Sequence, residues 1–305
     1  MSYSKSNFIK AKNSYLKFLK KQEIKGEPFY DKIGQLNKFY FPICNLINKE
    51  SRFNKKVLVI GLSGGQGSGK TTISHILKII LKSAYNLNVI NFSIDDFYKT
   101  FNQRKKMSEK VHKLFLTRGV PGTHDINLLK KSFQSILKKK FKPFRIPNFD
   151  KSIDDRLPKK KWTKIETKPD VVIFEGWCVG ALSQKNRQLH RSQNELEKIH
   201  DKKLIWRKKV NNELKIRYKN LFKILHKLIF LEVPSFKYVR KWRMLQEKKL
   251  LLKSGGKKIM SKLKINEFIM YYERITIQML KNLKKKADVV IKLDKKHRLS
   301  GIKFN

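Results

Sequence analysis

The sequence predicts an α/β fold of three layers: a mostly parallel central sheet between helices, preceded by a helical N-terminal extension. Three observations predict it. Short β-branched runs at 57–62, 88–93, 171–175, 227–233 and 288–293 alternate with stretches of helical periodicity. Strands that alternate with helices make a parallel sheet whose two faces are both covered. Five of the 14 glycines fall between Gly61 and Gly69, where the first of these runs meets a helical stretch over 71–81. No apolar stretch approaches the length of a membrane-spanning helix, and 40% hydrophobic residues suffice for a core in a chain of 305.

Residues 1–55 carry a helical pattern that ends near Pro42, read as an extension packed on a main domain of residues 56–305. The strand Val57–Leu62 runs into Gly64-Gly65-Gln66-Gly67-Ser68-Gly69-Lys70-Thr71, followed by Thr72. This segment fits G-x-x-x-x-G-K-[ST], the Walker A or P-loop pattern. Its glycines let successive backbone N–H groups turn toward a phosphate with no Cβ in the way. The helix N-terminus that follows adds free donors and the positive end of its dipole. Lys70 is placed for the β- and γ-phosphates and Thr71 for Mg²⁺. The expected ligands are therefore ATP and Mg²⁺, held by residues 64–72.

The second strand ends in Ser93-Ile94-Asp95-Asp96-Phe97-Tyr98. Acids are scarce, 24 against 72 lysines and arginines, so an adjacent pair at a strand's carboxyl end stands out. Asp95 is expected to accept or orient the proton of an alcohol that attacks the γ-phosphate. Asp96 is open between a catalytic role and a helix cap. The third strand, Val171–Glu175, continues into Gly176, an acid and a glycine after an apolar run. That is the form of a Walker B segment, with Glu175 beside Mg²⁺.

The interval 100–170 holds four prolines and no strong strand signal, and is read as the insertion that binds the acceptor. Its loops 118–125 and 147–156 mix turn formers with charges of both signs. With Tyr98 they offer Arg118, His124, Asp125, Asp150, Lys151 and Arg156 as substrate contacts. The plainer reading has Asp125 capping a helix over 126–139 and His124 only packing. Residues 186–225 read as one long charged helical region. In a lid over 235–262, Arg240 and Arg243 lie one turn apart, spaced to close over a phosphoryl group.

The net charge is +48. Nucleic-acid binding, steering of anionic substrates and a simple lysine-rich coding bias all produce such a charge. The lysines spread along the whole chain without the interleaved aromatics of a nucleic-acid platform, which favours the third. No specific nucleic acid and no membrane partner are expected. The segment 1–21 lacks a secretory core, and Cys44 and Cys178, the only cysteines, have no metal-type spacing. A reducing cytoplasm is the expected compartment.

Taken in order, GLSGGQGSGKTT, SIDDFY, RGVPGTHD, PNFDKSIDDR and VVIFEGW resemble the D-glycerate 3-kinase family and its bacterial P-loop kinase relatives. Trp206-Arg207 with Asn211, Leu214, Tyr218 and Phe222, then VRKWRMLQEKKL and FIMYYERIT, extend the resemblance from about residue 55 to the end. The resemblance implies a P-loop kinase fold related to uridine kinase, pantothenate kinase and phosphoribulokinase. It also implies ATP- and Mg²⁺-dependent transfer to an alcohol group of a small metabolite, with D-glycerate the first candidate. By the same resemblance Asp95 serves the acceptor hydroxyl, and Arg240 and Arg243 belong to the lid. One departure is that Ile153-Asp154 replaces a usually glycine-rich stretch after FDKS, which opens the question of the acceptor. The alternatives are a nucleoside or pentose-phosphate kinase, and an NTPase associated with nucleic acid.

Overall fold

The structure, a computed structural model, describes residues 4–23, 28–53, 56–254 and 261–305, with backbone only over 248–254. Part of the expected lid, 255–260, lies outside the described residues. The chain opens with α1 (Lys5–Gln22), α2 (Lys32–Gln35) and α3 (Phe41–Phe53). Strand β1 (Leu58–Gly64) leads through the glycine loop into α4 (Lys70–Tyr85) and then β2 (Val89–Ser93). Next come α5 (Phe101–Lys110), α6 (Ile126–Leu137) and four short strands: β3 (Phe144–Ile146), β4 (Phe149–Asp150), β5 (Asp155–Arg156) and β6 (Thr163–Ile165). Strand β7 (Val171–Gly176) precedes α7 (Glu195–His200), α8 (Ile205–Glu213), α9 (Lys219–Phe222) and β8 (Lys227–Glu232). The chain finishes with α10 (Phe236–Ser254), α11 (Lys262–Asn282), β9 (Val289–Leu293) and β10 (Leu299–Phe304).

Six strands form the central sheet in the order β10-β9-β8-β1-β7-β2, all parallel except β10. The pleat divides each strand between two cores. Leu58, Ile60 and Leu62 of β1, with Val171 and Ile173 of β7, meet α1, α3 and α4 through Tyr15, Leu19, Ile43, Ile76, Leu77 and Ile80. Val59, Val172 and Phe174 face the other way, onto Phe92, Phe133 and Ile275. The sheet and its two helical layers are the three expected layers.

The structure differs from the sequence reading in three places. Strand β10 carries only a weak pattern, because it is a half-exposed edge strand with lysine, serine and glycine along it. It is folded back on β9 by Asp294, whose carboxylate accepts the N–H groups of Lys296 and Arg298. The 100–170 interval does contain strands, but as two antiparallel ribbons, β3–β6 and β4–β5, apart from the sheet. The 186–225 region is broken rather than continuous. Leu204 adopts φ 62°, and the Asp201 carboxylate takes the N–H groups of Trp206 and Arg207 to restart the helix. Asp201 and Glu197 also pair with buried Arg207, and Glu197 with Arg274, which ties α7 and α8 to α11.

The first helix lies on α4 by way of Ala11, Tyr15 and Leu19, all buried, and the Tyr15 hydroxyl donates to the Lys32 carbonyl at 3.0 Å. Leu19→Ala deletes buried methyl groups at this contact. Urea denaturation is expected to show a loss of about 2–5 kcal/mol, the usual cost of such a cavity.

Candidate active site

The glycine loop is shaped by two left-handed residues, Gly67 at φ 72° and Gly69 at φ 88°. At Gly65 a Cβ would lie 2.8 Å from Val239 Cγ2, and at Gly67 3.0 Å from the Trp242 carbonyl carbon, so α10 packs directly on the loop. Lys70 Nζ curls back to donate to the Gly65 carbonyl at 3.0 Å. Thr71 Oγ1 donates to Glu175 Oε1 at 2.7 Å across the β1–β7 pair. Burial pulls the Lys70 pKa down, with Glu175 and Asp95 opposing; burial pushes Glu175 up, with Lys70 and Thr71 opposing. Ser68 Oγ is buried with no partner among the described residues. A phosphate at the loop would find this hydroxyl, the Lys70 ammonium and the first N–H groups of α4. A divalent cation would find the Thr71–Glu175 oxygen pair beside them.

After β2 the chain makes a 3-10 turn over Ile94–Phe97. Ser93 Oγ accepts from Asp95 N–H, and Asp96 Oδ2 accepts from Ser93 N–H at 2.9 Å. Asp96 thus closes a capping box. Asp95 is left facing the loop. Its Oδ1 accepts from the Tyr98 hydroxyl at 2.9 Å and its Oδ2 from Lys151 Nζ at 2.9 Å. Burial works against the Asp95 charge, but the Lys151 ammonium and the hydrogen bonds outweigh it and hold the carboxyl at about 2. Asp96 goes the opposite way, pushed up to about 7 by burial and by the negative charges of Asp95 and Glu175.

Lys151 reaches Asp95 from the β4–β5 hairpin. Asp150 builds its turn by accepting from Ser152 N–H and Oγ. Arg156 pins its base, donating to the Tyr98 carbonyl at 2.7 Å and to Asp125 Oδ2 at 3.4 Å. Asp125 also caps α6 through Leu128 N–H. His124 is fully buried, stacked on Tyr98 at 4.5 Å and hydrogen-bonded through Nδ1 to the Tyr218 hydroxyl at 2.6 Å. Burial lowers its pKa to about 4, so it is neutral. Of the eight expected acceptor contacts, the structure gathers Asp95, Tyr98 and Lys151 into one group. Asp125, Asp150, His124 and Arg156 hold contacts within the protein, and Asp125 caps α6 as the plainer reading has it. Arg118 is half-buried, paired with Asp154 and lying over the Phe149 ring at 5.6 Å.

The two lid arginines also part. Arg243 pairs with Glu247 and lies over Phe268 at 5.7 Å, one residue from the Trp242 that touches Gly67. Arg240 is exposed in a groove of about 620 Å³ between α10 and α11, where its charge acts on Glu273. It does not join the group at the loop. Sequence reasoning missed Arg104, which is wholly buried beneath the hairpin. It donates to the carbonyls of Leu116 and Asp154, both at 2.6 Å, and pairs with the Asp154 carboxylate at 3.0 Å. The one available signal was an arginine among the lysines of α5.

A parallel sheet whose strand ends carry a glycine loop and two carboxylates, one bonded to the threonine after the loop and one to a lysine, has the form of a P-loop kinase. A family model described as the phosphoribulokinase/uridine kinase family matches residues 59–241, and the chain belongs to that family, as a small-molecule kinase. It is 32% identical over 238 residues to an uncharacterized kinase, mug58, of Schizosaccharomyces pombe, covering 75% of this chain and 83% of that one. It is 27% identical over 223 residues to the chloroplastic D-glycerate 3-kinase of Arabidopsis thaliana, covering 70% of this chain and 46% of the relative. A solved D-glycerate 3-kinase from Cryptococcus neoformans shares the fold at TM-score 0.74 and 23% identity, over 87% of this chain and 99% of that one. Among the described residues no helix is long and apolar enough to cross a membrane.

The Asp96 environment gives a pH dependence with a defined sign. Folding raises its pKa from 3.8 to about 7, so through this window the folded protein keeps a proton that the unfolded chain has released. Its contribution to stability therefore weakens as pH rises. Asp96→Asn removes the titration and keeps an oxygen for the cap. In urea denaturation of the ligand-free protein, the variant is expected to gain on the wild type between pH 5 and pH 7.

Proposed function

We propose that this kinase transfers the γ-phosphate of ATP to an alcohol group of a small hydroxy acid, with D-glycerate the first candidate. The observation that carries the proposal is the Asp95–Lys151 pair beside Lys70 and Glu175: a base for a hydroxyl, with a cation for an acid group at its side. Two aromatic rings beside the pair are already engaged. Tyr98 lies against His124, and Phe149 against the Arg118 guanidinium. The D-glycerate 3-kinase relative supports the same class of acceptor. The lysine excess is read as solvated surface, with no specific nucleic-acid partner.

In this mechanism the loop amides and Lys70 hold the triphosphate, and Thr71 with Glu175 would hold Mg²⁺. The ion, when bound, neutralises charge on the β- and γ-phosphates. Asp95 orients the acceptor hydroxyl and takes its proton as the new oxygen–phosphorus bond forms and the bond to the β–γ bridging oxygen breaks. Arg243, carried on α10 against the loop, is placed to meet charge on the transferred group.

The test is ADP release from Mg²⁺-ATP with D-glycerate, uridine, pantothenate, simple sugars and RNA as additions. Strong stimulation by D-glycerate is expected, and stimulation by RNA alone would reject the proposal. Asp95→Asn is expected to lower turnover by about 10²–10⁴, the scale of a general base. Lys70→Ala is expected to abolish transfer with little change in melting temperature, because its ammonium is placed for the nucleotide rather than for the core.

A further inference from the structure

We infer that Lys151 makes catalysis conditional on an acid-bearing acceptor: it covers Asp95 until the acceptor's carboxylate draws its ammonium away. This inference rests on the hydroxy-acid reading above.

The two oxygens of Asp95 are held in different ways. Oδ1 is bonded to the hydroxyl of Tyr98, a buried side chain wedged against His124 and Phe149. That bond has no room to exchange. Oδ2 is bonded to Lys151, an exposed side chain at the hairpin tip beside exposed Ser152 and Ile153. The far end of the turn is fixed by Arg104 on Asp154, and the hairpin's base by Arg156 on the Tyr98 carbonyl. Exchange at Oδ2 therefore needs only a swing of the four-carbon lysine stem, with the backbone in place.

An acid acceptor brings a second negative charge close to Asp95. That arrangement is tolerable only if a cation lies between the two, and Lys151 is already there. As Lys151 turns to the carboxylate, Oδ2 is freed for the acceptor's hydroxyl proton. Burial, which Lys151 had outweighed, then makes Asp95 a better proton acceptor. Arg118 is less available, being paired with Asp154. A neutral acceptor, or water, offers nothing to draw Lys151 away. The wasteful reaction, in which water attacks the γ-phosphorus, the bond to ADP breaks and the proton goes to Asp95, is thereby restrained.

The experiment compares wild type, Lys151→Met and the double variant Lys151→Met/Asp95→Asn. ADP release from Mg²⁺-ATP is measured first without acceptor, then with D-glycerate and with glycerol, its uncharged counterpart. Lys151 is exposed, so the variants are expected to melt with the wild type. Without acceptor, Lys151→Met is expected to hydrolyse ATP about tenfold faster, and the double variant to lose that gain. The preference in kcat/KM for D-glycerate over glycerol is expected to fall about a hundredfold in Lys151→Met. Hydrolysis unchanged or slower in Lys151→Met would overturn the inference, since Lys151 would then serve the triphosphate itself. A gain that persists in the double variant would overturn it too, because Asp95 would not be the group restrained. If wild type ignores D-glycerate, the hydroxy-acid reading fails, while the hydrolysis comparison still decides whether Lys151 restrains Asp95.

Discussion

The parallel register of β1, β7 and β2 is the constraint on which the site depends. Leu62 of β1 and Ser93 of β2 both lie opposite Glu175 of β7, so three strand ends stop at the same level. Each delivers one part of the chemistry within one or two residues of that line: the glycine loop after β1, Asp95 after β2 and Glu175 at the end of β7. A parallel sheet also requires helices over both faces, which leaves the carboxyl edge as the open place for a ligand. Hairpin and lid are attached around that edge, and neither lies in the sheet.

Placing acids at such an edge sets burial against charge. Asp95 raises the pKa of both Asp96 and Glu175, Glu175 adds to the push on Asp96, and the structure treats the three differently. Asp95 is kept ionised by a lysine brought from 56 residues away. Asp96 spends one oxygen on the backbone of its own turn and drifts toward neutrality. Glu175 rests on Thr71 and Lys70. Adjacent side chains on one turn thus acquire a charged role and a structural one. The difference arises from what each oxygen faces and not from residue type.

Arginine marks the fixed points and lysine the mobile ones. Arg104 and Arg156 grip carbonyl oxygens with their planar forks and hold the hairpin at its turn and at its base. Lys151, a point charge on a long stem, reaches from the hairpin turn to Asp95. In a chain with 72 basic residues this choice of side chain carries more information than the charge itself.

The sequence by itself determined the α/β class, the five parallel strands, the glycine loop and the assignment of Lys70, Thr71 and Glu175 to one end of the sheet. These are local signals: a buried strand needs a β-branched run, and a phosphate loop needs glycine at its left-handed positions. Only the tertiary structure shows the internal contacts of the expected acceptor side. Whether Asp125, Asp150, His124 and Arg156 face a ligand or a neighbour depends on partners 2 to 94 residues away, and no spacing rule encodes those contacts. The same holds for Arg240, which helical spacing groups with Arg243 but packing turns toward Glu273. A turn or a strand is specified by its own few residues, whereas a charged side chain is specified by whatever the fold brings within reach of it.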